Sequence, residues 1–322
     1  PAFCHMGILP AFCHMGILGY TRGMATTALE FVPPALEDGM RKAEEEAAKA
    51  QELMRAAGLA SSINSVLFPG MIAEESDRPV PLSARMDPID TKHAIEGTLP
   101  LDPIVTQVTA FSDQDELNER LKRLSAGGVN RVVFVGVPRT LAEGEGPGLA
   151  PTDALGAFRE TVPSRGVVFI PTRESEKPRF EAKVRAGADF GLSQLLYSDH
   201  VVDVLRTLEI GEPRPEILLS FGYVPKAEER VGLIRWLIRD ETEAAKRELE
   251  AVSRIAPMPF AQKKAAMVDL YKRITDGARK TGLPIGLHFE TPYGFSKPAF
   301  ETFAAMLDEW NPHKHHSERK EP

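Results

Sequence analysis

The chain is almost without cysteine. Among its 322 residues only Cys4 and Cys13 are cysteines, and both lie in the first stretch of the sequence. From residue 24 onward there is none, which removes disulfides, thiolate nucleophiles and cysteine-ligated metals from the body of the chain. A reducing cytoplasm is the matching expectation. Long apolar runs are missing as well: none reaches the length of a membrane span. Positive charge is in deficit. The 39 Lys and Arg against 46 Asp and Glu leave a net charge of −7, which argues against a nucleic-acid partner held through phosphates. A local basic pocket for a small anionic ligand remains compatible with that balance.

What is present is ordinary globular composition, 43% hydrophobic and 26% charged, in a length that suits one large domain or two ordinary ones. The N-terminus is unusual. PAFCHMGIL, residues 1–9, recurs unchanged as residues 10–18. Two copies make no solenoid, and the stretch lacks the cationic start and long apolar core of a signal peptide. Residues 1–23 read as an added or mistranslated leader outside the fold, with Met24 as the expected native start. Residues 311–322 read as a polar tail, whose His313, His315 and His316 are expected to be solvated rather than metal-bound.

The stretch Thr26-Thr27-Ala28-Leu29-Glu30-Phe31-Val32-Pro33-Pro34 organises the rest. It is a short run of strand formers stopped by two prolines that cannot continue a ladder. Side chains alternate along a strand, so Ala28, Glu30 and Val32 share one face. That sets one carboxylate among small apolar neighbours at the end of the strand. Burial without a partner raises a carboxyl pKa, and a raised pKa is what a general acid needs near neutral pH.

The same kind of strand recurs over 63–68, 104–111, 131–137, 166–172, 190–196, 216–222 and 284–291, which with 26–32 makes eight. Helical patterns over 35–58, 113–125, 152–161, 177–186, 199–208, 227–238 and 297–310 follow most of them. A weaker one covers 88–96, and a further helical stretch, 241–280, is inserted before the last strand. Eight alternations point to an α/β fold of the (β/α)8 barrel type, one domain over 24–310. A doubly wound open sheet is the alternative. The inserted helices either close the barrel or offer a homodimer contact. The glycine-rich run 144–148 is interrupted by Pro147 and reads as a strand-to-helix loop, not a phosphate-binding fingerprint.

In such a barrel the chemistry sits at the C-terminal ends of the strands. Gln107 lies with Val105 and Thr109 on one face of the third strand, Gln194 alternates with Leu192 and Leu196 in the sixth, and His288 and Glu290 share a face of the eighth. If those faces point inward, Glu30, Gln107, Gln194, His288 and Glu290 meet at one mouth. An acid with neutral amides, and with no Ser–His pair or HExxH pattern, suits proton delivery to a bound heterocycle, since each amide offers a donor and an acceptor. A small-molecule substrate and no metal follow.

These residues also carry a resemblance. Leu29-Glu30-Phe31-Val32-Pro33-Pro34 resembles the E-F-x-P-P signature of methylenetetrahydrofolate reductases. Lys183-Val184-Arg185-Ala186-Gly187-Ala188 followed by Ser193-Gln194-Leu195-Leu196-Tyr197 resembles that family's K-V-x-A-G-A…T-Q-x-x-F segment. Gly286-Leu287-His288-Phe289 resembles its late G-L-H-F strand. The matches fall in order from residue 30 to about residue 291. The resemblance implies a (β/α)8 barrel that reduces 5,10-methylenetetrahydrofolate to 5-methyltetrahydrofolate, with Glu30 as the general acid and Gln194 on the pterin edge.

The departures are informative too. The R-G-D turn of the flavin-dependent enzymes reads Val135-Gly136-Val137 here, their third-strand histidine falls at Gln107, and the tyrosine and histidine of their fifth strand have no counterpart in Ile170-Pro171-Thr172-Arg173. Ala182 stands where an arginine precedes their K-V-x-A-G-A lysine. Positions that would hold flavin are lost while the folate positions are kept. The pattern resembles the flavin-independent mycobacterial type, and stretches 68–74, 134–140 and 220–226 resemble that subgroup too. NADH, with NADPH not separated from it, is then the expected hydride donor, without FAD. Gln107, Glu74, His288 and Tyr293 are further candidates for substrate contacts, and Arg139, Arg173 and Lys226 for cofactor phosphates or the folate tail. Two other readings stay open at this point: a flavin- or deazaflavin-dependent barrel reductase, and a non-catalytic folate- or nucleotide-binding barrel.

Overall fold

Thr27–Glu30 forms the first strand, β1, with all four residues buried, and Pro33-Pro34 ends the extended run after it. The structure, a computed structural model, describes residues 25–70, 83–136, 148–238, 240–292 and 294–310. Seven further strands follow: β2 (Ser65–Phe68), β3 (Asp102–Val108), β4 (Arg131–Val135), β5 (Ser164–Phe169), β6 (Phe190–Leu195), β7 (Glu216–Gly222) and β8 (Ile285–Glu290). Each pairs in parallel with the next, and β8 returns to β1 through Thr27↔Leu287, Ala28↔His288 and Leu29↔Phe289. The sheet is therefore a closed eight-stranded barrel. Closure excludes the open doubly wound alternative, because an open sheet would leave two edges unpaired.

The helices are α1 (Gly39–Ala56), α2 (Pro88–Ile95), α3 (Gln114–Ala126), α4 (Pro151–Ala157), α5 (Glu176–Arg185), α6 (His200–Thr207), α7 (Glu228–Leu237), α8 (Glu243–Ile255), α9 (Phe260–Arg279) and α10 (Lys297–Trp310). Alternation along each strand sends one set of side chains to this helical layer and the other into the barrel. Leu29, Val66, Val105, Val132, Phe134, Phe169, Leu219, Phe221, Leu287 and Phe289 belong to the outer core under the helices. Ala28, Leu67, Ile104, Val133, Phe190, Leu192 and Leu218 form a separate inner cluster. Gly166 makes room for it: a Cβ there would stand 2.4 Å from the Phe190 ring.

The floor of the barrel is polar and closed. Arg131 donates to Thr26 Oγ1 at 2.9 Å and to Glu216 Oε2 at 3.1 Å, and its guanidinium lies 4.4 Å from the Phe190 ring centroid. Glu216 also accepts from the Thr26 backbone N–H at 2.9 Å. These groups sit at strand starts, opposite the end that carries the site.

The insertion before β8 is not the one expected. Of the stretch 241–280, only the first helix, α8, is additional. The second, α9, fills the ring position between α6 and α10. It pairs Lys272 with Glu309 at 3.1 Å, sets Arg279 3.9 Å over the Trp310 ring, and brings Gly277 so close to Val202 that a Cβ would lie 2.6 Å from it. Tyr271 of α9 packs on Phe221 of β7, ring centroids 4.8 Å apart. With α9 in that ring position, α8 is tied to the loops at the C-terminal ends of β5 and β6. Thr242, the N-cap of α8, donates to the Thr172 carbonyl at 2.6 Å, and Glu248 of α8 accepts from the Ser198 hydroxyl at 2.5 Å. Among the described residues no helix is long and apolar enough to cross a membrane.

Candidate active site

Glu30 ends β1 on the inward face and is 7% exposed. Its carboxylate accepts the Thr291 N–H at 3.0 Å, while the Thr291 hydroxyl donates to the Glu30 carbonyl at 2.8 Å. The carboxyl is thereby fixed at the seam where β8 meets β1. Burial pushes its pKa up to about 7, against the downward pull of the Thr291 N–H. A carboxyl in that range is an acid and its conjugate base in comparable amounts near neutral pH.

Glu290, at the end of β8, stands next to it. Register Leu29↔Phe289 puts Glu30 and Glu290 abreast. Burial first, then the charge of Glu30, holds the Glu290 carboxyl well above the usual carboxylate range. One layer deeper lies His288, 1% exposed. The Ser220 hydroxyl donates to the Ser193 carbonyl at 2.7 Å, so the 2.9 Å contact between Ser220 Oγ and His288 Nδ1 is donated by the imidazole. This assigns the Nδ1–H tautomer and leaves Nε2 as a buried acceptor that has no partner among the described residues. Burial lowers the His288 pKa to about 3, so the ring is neutral at every physiological pH.

Gln194 reaches the mouth from β6, half-buried. Its amide donates to the Thr172 hydroxyl at 2.8 Å, and that hydroxyl donates to Asp240 at 2.7 Å. A bulge between Leu192 and Leu195 sets the end of β6 out of register with β7, which swings Gln194 toward the β5–α5 loop.

The structure thus brings Glu30, Gln194 and His288 to one end of the barrel, with Glu290. It does not bring Gln107 there. Ile104, Thr106 and Val108 take the inward positions of β3, and Gln107 points outward to accept from Arg120 of α3, which also binds Asp87 at 2.9 Å. The expected strand 104–111 ends at Val108, and its apolar residues on both faces gave no sign of which face turned in. Arg173 is partly exposed at the start of α5, 3.8 Å from Glu176. Lys226 is exposed beyond β7 and has no ion pair among the described residues. Glu74, Tyr293 and Arg139 lie outside the described residues. Sequence reasoning missed Ser193, Ser220, Thr172, Thr291 and Asp240. Ser220 was within reach, since it shares the parity of Glu216 and Leu218 in β7. Asp240 was not, because it acts from a distant loop.

A cleft of about 480 Å³ opens outward from Thr291, lined by Val32, Pro34, Arg85, Pro292 and Phe295 among others. Among the described residues no group of three His, Cys, Asp or Glu is placed to hold a metal ion.

A sequence model of the family described as mycobacterial methylenetetrahydrofolate reductase matches residues 23–314. The chain belongs to that family. The match spans every strand and helix of the barrel, so the carboxyls at the seam lie inside a mycobacterial methylenetetrahydrofolate reductase domain and not in an appended segment. No curated protein sequence matches the chain. Among solved structures, the fold is similar to a protein from Clostridium thermocellum described as binding two copies of 5-methyl-5,6,7,8-tetrahydrofolic acid. The TM-score is 0.59 with 16% identity, over 89% of this chain and 95% of that one. At that identity the likeness is one of fold.

Proposed function

We propose that this chain reduces 5,10-methylenetetrahydrofolate to 5-methyltetrahydrofolate with NADH as the direct hydride donor, without flavin, and with Glu30 as the general acid. The observation that carries the reading is the Glu30 carboxyl, fixed by Thr291 at the mouth of the barrel and lifted by burial to about 7. An acid of that strength gives its proton to the ring nitrogen of the substrate near neutral pH. The five-membered ring opens and leaves an iminium carbon. NADH, when bound, supplies the hydride for that carbon.

The other groups bind and orient. Gln194, its amide pinned by Thr172, presents a fixed acceptor to the pterin edge, and neutral His288 adds an acceptor below it. Arg173 and Lys226 suit a dinucleotide or a carboxylate tail: both stand at C-terminal loops, and Lys226 has no ion pair among the described residues. Glu74, Tyr293 and Arg139 are proposed for the same mouth on the sequence alone. Membership of the mycobacterial reductase family supports the substrate, as does the tetrahydrofolate bound by the Clostridium thermocellum protein of similar fold. Independence from flavin is supported by Val137, Gln107 and Ala182 at positions where flavin-holding residues are expected.

The test is a steady-state assay of purified protein with methylenetetrahydrofolate and NADH, after an absorbance spectrum. Turnover by a colourless protein supports the proposal. Turnover only after adding flavin refutes the direct hydride path, and no turnover in either case refutes the activity.

A further inference from the structure

We propose that Glu290 keeps a proton in reserve for Glu30: the two carboxyls, abreast across the seam of β8 and β1, always hold at least one proton between them, and Glu290 reprotonates Glu30 in each turnover. The inference rests on the reading of Glu30 as the acid. Its geometric ground is the register Leu29↔Phe289, which sets the two side chains on adjacent strands of the inward face. The Glu290 side chain is 15% exposed and Glu30 is 7% exposed. Among the described residues neither carboxyl has a Lys or Arg within 4.0 Å. His288 lies 3.7 Å from Glu290 and is neutral. Two like charges so placed do not both form near neutral pH.

Hydrogen bonding decides which carboxyl holds the proton. Thr291 gives its backbone N–H to Glu30 at 3.0 Å and so favours Glu30 as the anion. Glu290 meets Ser220 and His288 instead. Among the described residues the groups facing the pair are His288 on β8, uncharged Ser220 on β7, Leu67 on β2, and Tyr197, whose hydroxyl comes within 3.2 Å of a Cβ placed on Gly222. None of these supplies a compensating cation. The charge of Glu30 raises Glu290 further, so the shared proton rests on Glu290 once Glu30 has ionised.

The turnover balances. The O–H bond of Glu30 breaks as an N–H bond forms on the substrate, and the C–N electron pair goes to that nitrogen. The iminium carbon takes one hydride. Glu30, now a carboxylate, takes the proton of Glu290, and a solvent proton replaces the latter. One proton and one hydride are consumed per substrate. Glu290 touches no reacting atom in this scheme; it is a positioning residue that acts through Glu30.

The experiment is the pH profile of kcat/KM for Glu290→Gln, with infrared titration of the carboxyl stretch in ligand-free protein. Without the second carboxyl the alkaline limb is expected to move down by about one pH unit, with a loss of about tenfold at pH 8.5 and under about threefold at pH 6. A limb that stays in place, whatever the overall loss, overturns the proposal. The wild-type protein should keep a protonated-carboxyl band above pH 8. Its absence there also overturns the proposal, and this arm holds even if the variant does not fold. Because the infrared arm uses no substrate, a persistent band in a protein that does not reduce the folate would refute the proposed function and leave the shared proton standing.

Discussion

The side-chain amide of Gln194 is held by the hydroxyl of Thr172, 2.8 Å away. That hydroxyl is held in turn by Asp240, 2.7 Å away in the linker between α7 and α8. That linker therefore fixes the rotamer of a residue at the barrel mouth.

Thr172→Val keeps the shape of the side chain and removes both contacts. Gln194 is then free to turn. The expected outcome is a rise of about five- to tenfold in KM for the folate with a smaller fall in kcat, since pre-organisation of a binding group is what is lost. Steady-state kinetics at fixed NADH check this, and an unchanged KM would remove Gln194 from the substrate site.

Glu30→Gln separates chemistry from stability. With the acid gone, kcat is expected to fall by roughly 10² to 10⁴, while the fold is kept. The burial of Glu30 also has a stability signature. Its pKa rises from 4.5 to about 7 on folding, so between those values the folded state binds more protons than the unfolded one. Stability contributed by the protonated form is complete below pH 4.5 and is lost as pH rises through about 7, a change of about 3 kcal/mol. Glu248, pushed by burial to about 7 as well, adds to the same slope. Melting curves from pH 5 to 8 should show wild type losing stability with rising pH and Glu30→Gln losing less of it. Identical slopes would show that Glu30 is not buried as described.

At the other end of the barrel, Glu216→Ala removes the partner of Arg131, whose side chain is only 9% exposed. An uncompensated buried guanidinium costs about 3 kcal/mol, which corresponds to a fall of roughly 5 to 10 °C in melting midpoint. The site is a full strand length away, so kcat and KM of the folded enzyme should be unchanged. A changed KM would mean the floor and the mouth are coupled.

Gly166→Ala tests the inner cluster. The new methyl group would lie 2.4 Å from the Phe190 ring, and overpacking of this kind costs about 1 to 3 kcal/mol. Phe190→Leu in the same chain should recover part of that loss, although Phe190→Leu alone destabilises. Denaturant unfolding of the two single variants and the double gives the coupling; strict additivity would show that the ring does not occupy the space.

The architecture was largely legible in the chain itself, because local rules set it. Strand formers stopped by Pro33 and Pro34, eight alternations of strand and helix, and the parity of Ala28 with Glu30 are short-range features, and the observed β7 and α10 have the expected bounds. The buried carboxyl of Glu30 was legible for the same reason: one carboxylate stands in an otherwise apolar strand.

Other features depended on the closed barrel. β3 has apolar residues on both faces, so only its packing against α3 decided that Gln107 turns outward to Arg120. The pairing of Glu30 with Glu290 joins residues 260 positions apart and exists only because β8 closes on β1. The place of α9 between α6 and α10, with α8 against the C-terminal loops, is set by contacts between distant segments. Sequence pattern determined which residues turn together along one strand or helix, since that periodicity is local. Tertiary structure decided which faces meet, since burial is shared between segments and no single segment specifies it.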